Sequence, residues 1–165
     1  MHIPFSKLPT TARIWVYAAP RAFTSEELTF INNTAPEFLN SWATHGTPLQ
    51  AGFQVLEDQF LILAVDEGVQ AASGCSIDSS MGYVRMLEKE LSLSLTERSL
   101  VYFLQDGQVK AYALGELKQL IAEGVITPQT QLVNTLVATK AELEQKWLLP
   151  AAESWLKRHF KKAAV

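Results

Sequence analysis

The chain has 165 residues, 48% of them hydrophobic and 19% charged, with a formal net charge of −3. That composition belongs to a folded globular protein, and its acidic balance gives no global attraction to nucleic acid or anionic lipid. A single cysteine excludes an internal disulfide and a CxxC metal knuckle, and the length suffices for a core without such staples.

The opening MHIPFSKLPTTAR has two prolines and no apolar core, so it does not read as a signal peptide. The longest apolar run, Phe60 to Val65, is too short to cross a bilayer. A soluble cytoplasmic protein without a membrane partner is the expectation. Ile14-Trp-Val-Tyr17 is aromatic and β-branched and predicts a first strand. Thr24-Ser-Glu-Glu27 is a capping box, and Leu28, Ile31, Ala35, Phe38, Leu39 and Trp42 follow at helical spacing. Pro36 predicts a kink or a restart near Thr34, where Thr34 and Glu37 offer a second capping box.

Ala51, Phe53 and Val55 alternate with Gly52 and Gln54, as a half-buried strand does. Phe60 to Val65 is apolar on both faces and predicts a central strand. Ile77, Met81, Val84, Leu87 and Leu91 share one helical face. Leu100 to Leu104 and Val109 to Ala113 flank Asp106-Gly107, a hairpin signal. Leu117, Leu120 and Ile121 predict a short helix ended by Gly124. Thr139-Lys-Ala-Glu142 caps a helix reaching Trp147, and Pro150 opens a last one through Trp155 to Phe160. The basic run Lys157 to Lys162 then complements that helix's dipole; a nucleic-acid patch is a second reading, opposed by the acidic balance.

The predicted class is α+β, with an antiparallel or mixed sheet, β-α-β-β-α-β-β-α order and C-terminal helices. Its first six elements follow the ferredoxin-like order, although order alone fixes no topology. Residues 1–165 read as one domain, with an alternative division into an α+β core, 1–98, and a hairpin-helix unit, 99–165.

The stretches Ile14-Trp-Val-Tyr17, Trp42-Ala-Thr-His-Gly-Thr-Pro-Leu49, Leu63-Ala-Val-Asp-Glu67 and Ser73-Gly-Cys-Ser-Ile-Asp-Ser-Ser80 resemble a family of small bacterial proteins often labelled "ABC transporter ATPase". A phosphate-binding P-loop needs G-x-x-x-x-G-K-[ST]. Gly68-Val-Gln-Ala-Ala-Ser-Gly74 is one residue too long and lacks the lysine, so these residues predict no P-loop ATPase. The segment Gly115 to Val133 is similar to the helix-turn-strand of GYF-like modules. That resemblance implies peptide or protein binding through exposed aromatics, although Ala113-Leu114 replaces the expected glycine-proline.

The segment from Asp66 to Ser80 carries the candidate site. Asp66 and Glu67 fall where the central strand leaves its sheet, a common place for functional groups in α/β architectures, and carboxylates there suit a hard cation or a proton. Ser73, Gly74, Ser76, Asp78 and Ser79 surround a predicted helix start, with Asp78 or Ser76 as its cap. Free amides and the dipole favour an anion at such a start. Cys75 is expected just outside it, where a thiolate is stabilised. His45, on a tight turn before Gly46, would be the base of a Cys75 nucleophile. Each has a plainer role: a packed thiol, a helix cap, solvated carboxylates, a turn histidine.

The first expectation is a binding or regulatory protein that holds a small anionic ligand or a partner segment on Glu67, Ser73, Gly74, Ser76, Asp78 and Ser79. The alternative is an enzyme with Cys75 as nucleophile or redox thiol, supported by His45 and Asp66. An interaction module on the C-terminal third would require exposed aromatics there. No motif assigns a metal or selects a cofactor.

Overall fold

The computed structural model describes residues 1–160; Lys161 and Lys162, the end of the basic run, lie outside the described residues. The protein is α+β, and its sheets are antiparallel. It divides into two compact units, residues 1–96 with 136–145, and residues 97–135 with 146–165.

In the first unit, strand β1 (Arg13–Ala18) leads into helix α1 (Ser25–Ser41). A two-residue-per-strand hairpin, β2 (Ala43–Thr44) and β3 (Thr47–Pro48), precedes β4 (Ala51–Leu56), β5 (Phe60–Val65) and helix α2 (Gly74–Leu91). The sheet order is β1-β5-β4. All six residues of β5 are fully buried, which fits an interior strand with no face for water. Val16 and Gln54 both pair with Ile62 in its middle.

This order reproduces three strands of the ferredoxin-like pattern, but the fourth does not join them. Strand β6 (Leu100–Gln105) belongs to the other unit's sheet. The free side of β1 instead meets residues 138–139, through the Arg13–Thr139 bridge and the Ile14 amide on the Ala138 carbonyl (3.0 Å). The free side of β4 is met by the chain start, where the Ile3 amide reaches the Ala51 carbonyl at 2.7 Å. Both edges, open to pairing with other chains if bare, are thereby partly covered.

Helices α1 and α2 pack on one face of this sheet. Ile31 and Ala35 of α1 and Tyr83, Val84 and Leu87 of α2 close a core over Tyr17, Leu61 and Leu63. The predicted restart at Thr34 is absent, and α1 runs unbroken through Pro36. Thr34 turns its hydroxyl back onto the Phe30 carbonyl (2.9 Å) instead of capping. With that proton committed, the Tyr83 phenol donates to Thr34 Oγ1 at 3.0 Å. Tyr83 also stacks on Phe38 at 4.6 Å. Burial pushes its pKa up to about 12. Helix α2 is rolled slightly from the predicted face. Ser76 and Ser80 are buried with Tyr83, Val84 and Leu87, while Ile77 and Met81 are only partly covered.

The opposite sheet face is covered beside Gly52 by the N-terminal segment. Lys140, on helix α4 (Lys140–Lys146), clamps that segment. Its buried ammonium donates to the carbonyls of Phe5 (3.1 Å), Ser6 (3.3 Å) and Leu8 (2.7 Å), and such partners are what a buried cation requires.

The second unit holds a sheet of order β7-β6-β8-β9. Strand β7 is Gln108–Ala113, β8 Gln131–Val133 and β9 Leu148–Pro150. Asp106 and Gly107 both take positive φ at the predicted hairpin. Helix α3 (Leu117–Ala122) ends at Gly124, φ +74°, where a left-handed residue satisfies the last carbonyls. The predicted helix from Pro150 is not there. Residues 148–150 form a strand, and Ala151–Glu153 and Trp155–His159 are 3₁₀ turns, the second capped by the Ser154 hydroxyl on the Leu156 amide (3.1 Å). Phe103, Leu117, Ile126, Leu132 and Leu156 form this unit's core, and Trp155 is exposed. Among the described residues no helix is long and apolar enough to cross a membrane.

Two glycines test this packing in opposite directions. A Cβ on Gly52 would lie 2.6 Å from the Ile3 carbonyl oxygen, so Gly52→Ala should lower stability by at least about 2 kcal/mol. A Cβ on Gly82 meets nothing within 4 Å on α2, so Gly82→Ala should raise stability by roughly 0.5–1 kcal/mol. Urea unfolding of both variants measures the contrast; equal effects would contradict the packing described.

Candidate functional site

The site lies where β5 hands over to α2. The Asp66 amide still bonds to the Gln50 carbonyl (2.9 Å), and the chain then leaves the sheet. Both predicted carboxylates fold back onto their own loop. Asp66 Oδ1 accepts from the Gly68 amide (3.0 Å), and Glu67 Oε2 from the Ala72 amide (3.0 Å). The other Glu67 oxygen lies 3.7 Å from the Arg13 guanidinium, itself 4.8 Å over the Trp15 ring.

Helix α2 begins earlier than predicted. Ser73 is its N-cap, and neither Ser76 nor Asp78 holds that position. The Ser73 hydroxyl accepts from the Ser76 amide at 3.2 Å, and Ser76 Oγ accepts from the Ser73 amide at 2.7 Å. This is the reciprocal logic of a capping box, built here from two serines. Cys75 is therefore the second residue of the helix, inside its first turn, and it is exposed. Asp78 and Ser79 are exposed within the helix.

Two residues with no site signature in the sequence, Thr44 and Trp42, hold this start in place. Thr44 Oγ1 donates to Ser73 Oγ at 2.7 Å and accepts from the Ser73 amide at 3.1 Å. The Trp42 indole N–H, buried, donates to the Ser76 carbonyl at 2.7 Å. Neither bond has a local signature, because 29 and 34 residues separate the partners. Thr44 also fixes the turn carrying His45, since it pairs with Thr47 across β2 and β3. His45 (φ +47°) and Gly46 (φ +80°) both adopt the left-handed conformation that a two-residue hairpin turn demands.

The predicted residues thus gather at one rim in an unequal way. Ser73 and Ser76 are joined to each other, and Thr44 brings the His45 turn to them. The first-turn amides of Gly74 and Cys75 have no intrahelical acceptor by position, and both residues are exposed. His45 is exposed, and the Asp66 carboxylate is turned onto Gly68, so no nucleophile–base–orienter chain is assembled among the described residues. No group of three or more His, Cys, Asp or Glu side chains that could hold a metal ion occurs among the described residues. No family model, curated protein or solved structure matches the chain.

The coupling of Thr44 to Ser73 is measurable. Ser73→Ala should cost about 1 kcal/mol, as N-cap losses do, and Thr44→Val a similar amount. The double variant should cost less than the sum, because both changes break one network. Strictly additive unfolding free energies would show that the two hydroxyls do not cooperate.

Proposed function

We propose that the protein is a binding or regulatory protein whose recognition surface is the start of α2, taking a small anionic ligand or an acidic partner segment. The observation carrying this reading is the exposed first turn at Gly74 and Cys75. There two exposed residues whose amides lack an intrahelical acceptor stand at the positive end of an 18-residue helix, and helix starts of this kind attract anions. The turn is stiffened by the Ser73–Ser76–Thr44 bonds and by Trp42, which reduces the ordering cost of binding. Glu67, Asp78 and Ser79 border it, and His45 stands on the neighbouring turn. In this reading the protein belongs with the small bacterial family it resembles, but without the ATPase chemistry of that family's label. The Gly68 and Ala72 amides that a phosphate-binding loop would offer are bonded to Asp66 and Glu67. A binding role also suits the likeness of residues 115–133 to GYF-like modules.

The enzyme reading has one observation in its favour, the exposure of Cys75 in the first turn of α2.

Titration of inorganic phosphate into isotope-labelled protein separates the two. Saturable shifts of the Gly74 and Cys75 amides are expected. Cys75→Ser, which keeps the amide, should leave the affinity within about twofold, since no bond to the anion is lost. Unmoved amides would reject the anion reading, and rapid alkylation of Cys75 well below pH ~8, the ordinary thiol range, would favour the enzyme.

A further inference from the structure

A concavity of about 510 Å³ in the second unit is lined by Lys118, Ile121, Ala122, Arg158 and His159. Its size falls in the range of small-molecule sites, roughly 300–1,000 Å³. Lys118, Ile121 and Ala122 stand three and four residues apart on α3, so they share one helical face. Arg158 and His159 come from the 3₁₀ turn Trp155–His159. The basic run does not complement an α-helix end as predicted, since its described part lies in a 3₁₀ turn, and two of its members border a cleft.

The charges around this cleft are one-sided. None of the lining residues is acidic. Of the acids beside α3, Glu123 is turned onto the Gln119 amide group (2.8 Å) and Glu116 onto the Ala113 amide (3.2 Å). Among the described residues the ion pairs involve Arg13, Arg21, Lys110 and Lys140, and neither Lys118 nor Arg158 is in one. Two cations that face a concavity with no counterion among the described residues, beside an apolar floor, are the complement of an anion with an apolar body. An arginine fork matches the paired oxygens of a carboxylate or phosphate, and a lysine supplies a mobile point charge. No Phe, Tyr or Trp lines the cleft among the described residues, so the large aromatic platforms on which single-stranded nucleic acids stack are missing.

We propose that this cleft binds a small organic anion, its carboxylate or phosphate held by Lys118, Arg158 and His159 and its apolar body lying on Ile121 and Ala122. The site is separate from the start of α2 and does not depend on that reading.

Phenyl phosphate, benzoate and neutral benzyl alcohol, each titrated into isotope-labelled protein and followed by NMR, test it. Phenyl phosphate or benzoate should shift the backbone signals of residues 118, 121, 122, 158 and 159 saturably, and the stronger of the two identifies the headgroup. Lys118→Gln and Arg158→Gln, both at exposed positions, should each weaken that binding about tenfold, the effect of losing one charge-assisted contact. Benzyl alcohol should bind at least about tenfold more weakly than the better anion for the same reason. The proposal is overturned if neither anion saturates at these signals, or if the shifts fall only at Gly74 and Cys75. Equal binding of benzyl alcohol, unchanged affinity in both variants, or an oligonucleotide response where both small anions give none would overturn it equally.

Discussion

Every residue of β5, Phe60–Val65, is fully buried, and a strand with no polar face can exist only between two partners and beneath cover on both sides. That requirement organises the first unit. Strands β1 and β4 supply the partners, antiparallel and in register along the whole length of β5. Helices α1 and α2 cover the Leu61–Leu63 side. The N-terminal segment approaches the other side over Gly52, where the Ile3 carbonyl oxygen lies 2.6 Å from the position a Cβ would take and leaves no room for a side chain. The buried Lys140 ammonium ties the carbonyls of that segment together, so a charged residue completes the cover of an apolar strand.

The same constraint makes the rim. An interior strand must end at the sheet's edge with its next residues released, and Asp66 and Glu67 are those residues. Their carboxylates take the Gly68 and Ala72 amides, which gives the loop internal partners for backbone groups that the sheet no longer satisfies. The loop can then be short, and it delivers Ser73 to Thr44 and Ser76 to Trp42. A helix start left exposed at Gly74 and Cys75 is the product of this geometry. The binding reading therefore rests on the fold of the rim and not on a catalytic triad.

Much of this was legible in the residues. The apolar run of β5, the Thr24–Glu27 capping box, the Asp106-Gly107 hairpin and the Gly124 cap each carry their information within a few positions, and each is found as read. At Pro36 local rules predict a kink or a restart, and the restart is absent. The fully buried face of Ile31, Ala35 and Leu39 holds the helix together through tertiary packing, which outweighs propensity. The last third misleads for the opposite reason. Residues 148–150 have no strand signature of their own and become a strand by pairing with β8. At the candidate site, residue type offers Asp78 or Ser76 as the cap, but Ser73 holds that position, bonded to Thr44 29 residues away. Contacts of that span leave no mark on the local sequence. The basic end of the chain was legible as charge, while its place beside α3 was not.

If β5 is the strand on which the first unit depends, its amides must open only when the whole unit unfolds. Native-state hydrogen exchange under increasing denaturant measures this directly. The account predicts that the amides of residues 61–64 exchange with the free energy of global unfolding, above those of α1, α2 and the rim. Exchange of β5 through a lower-energy partial opening, while α1 or α2 stays protected, would contradict it.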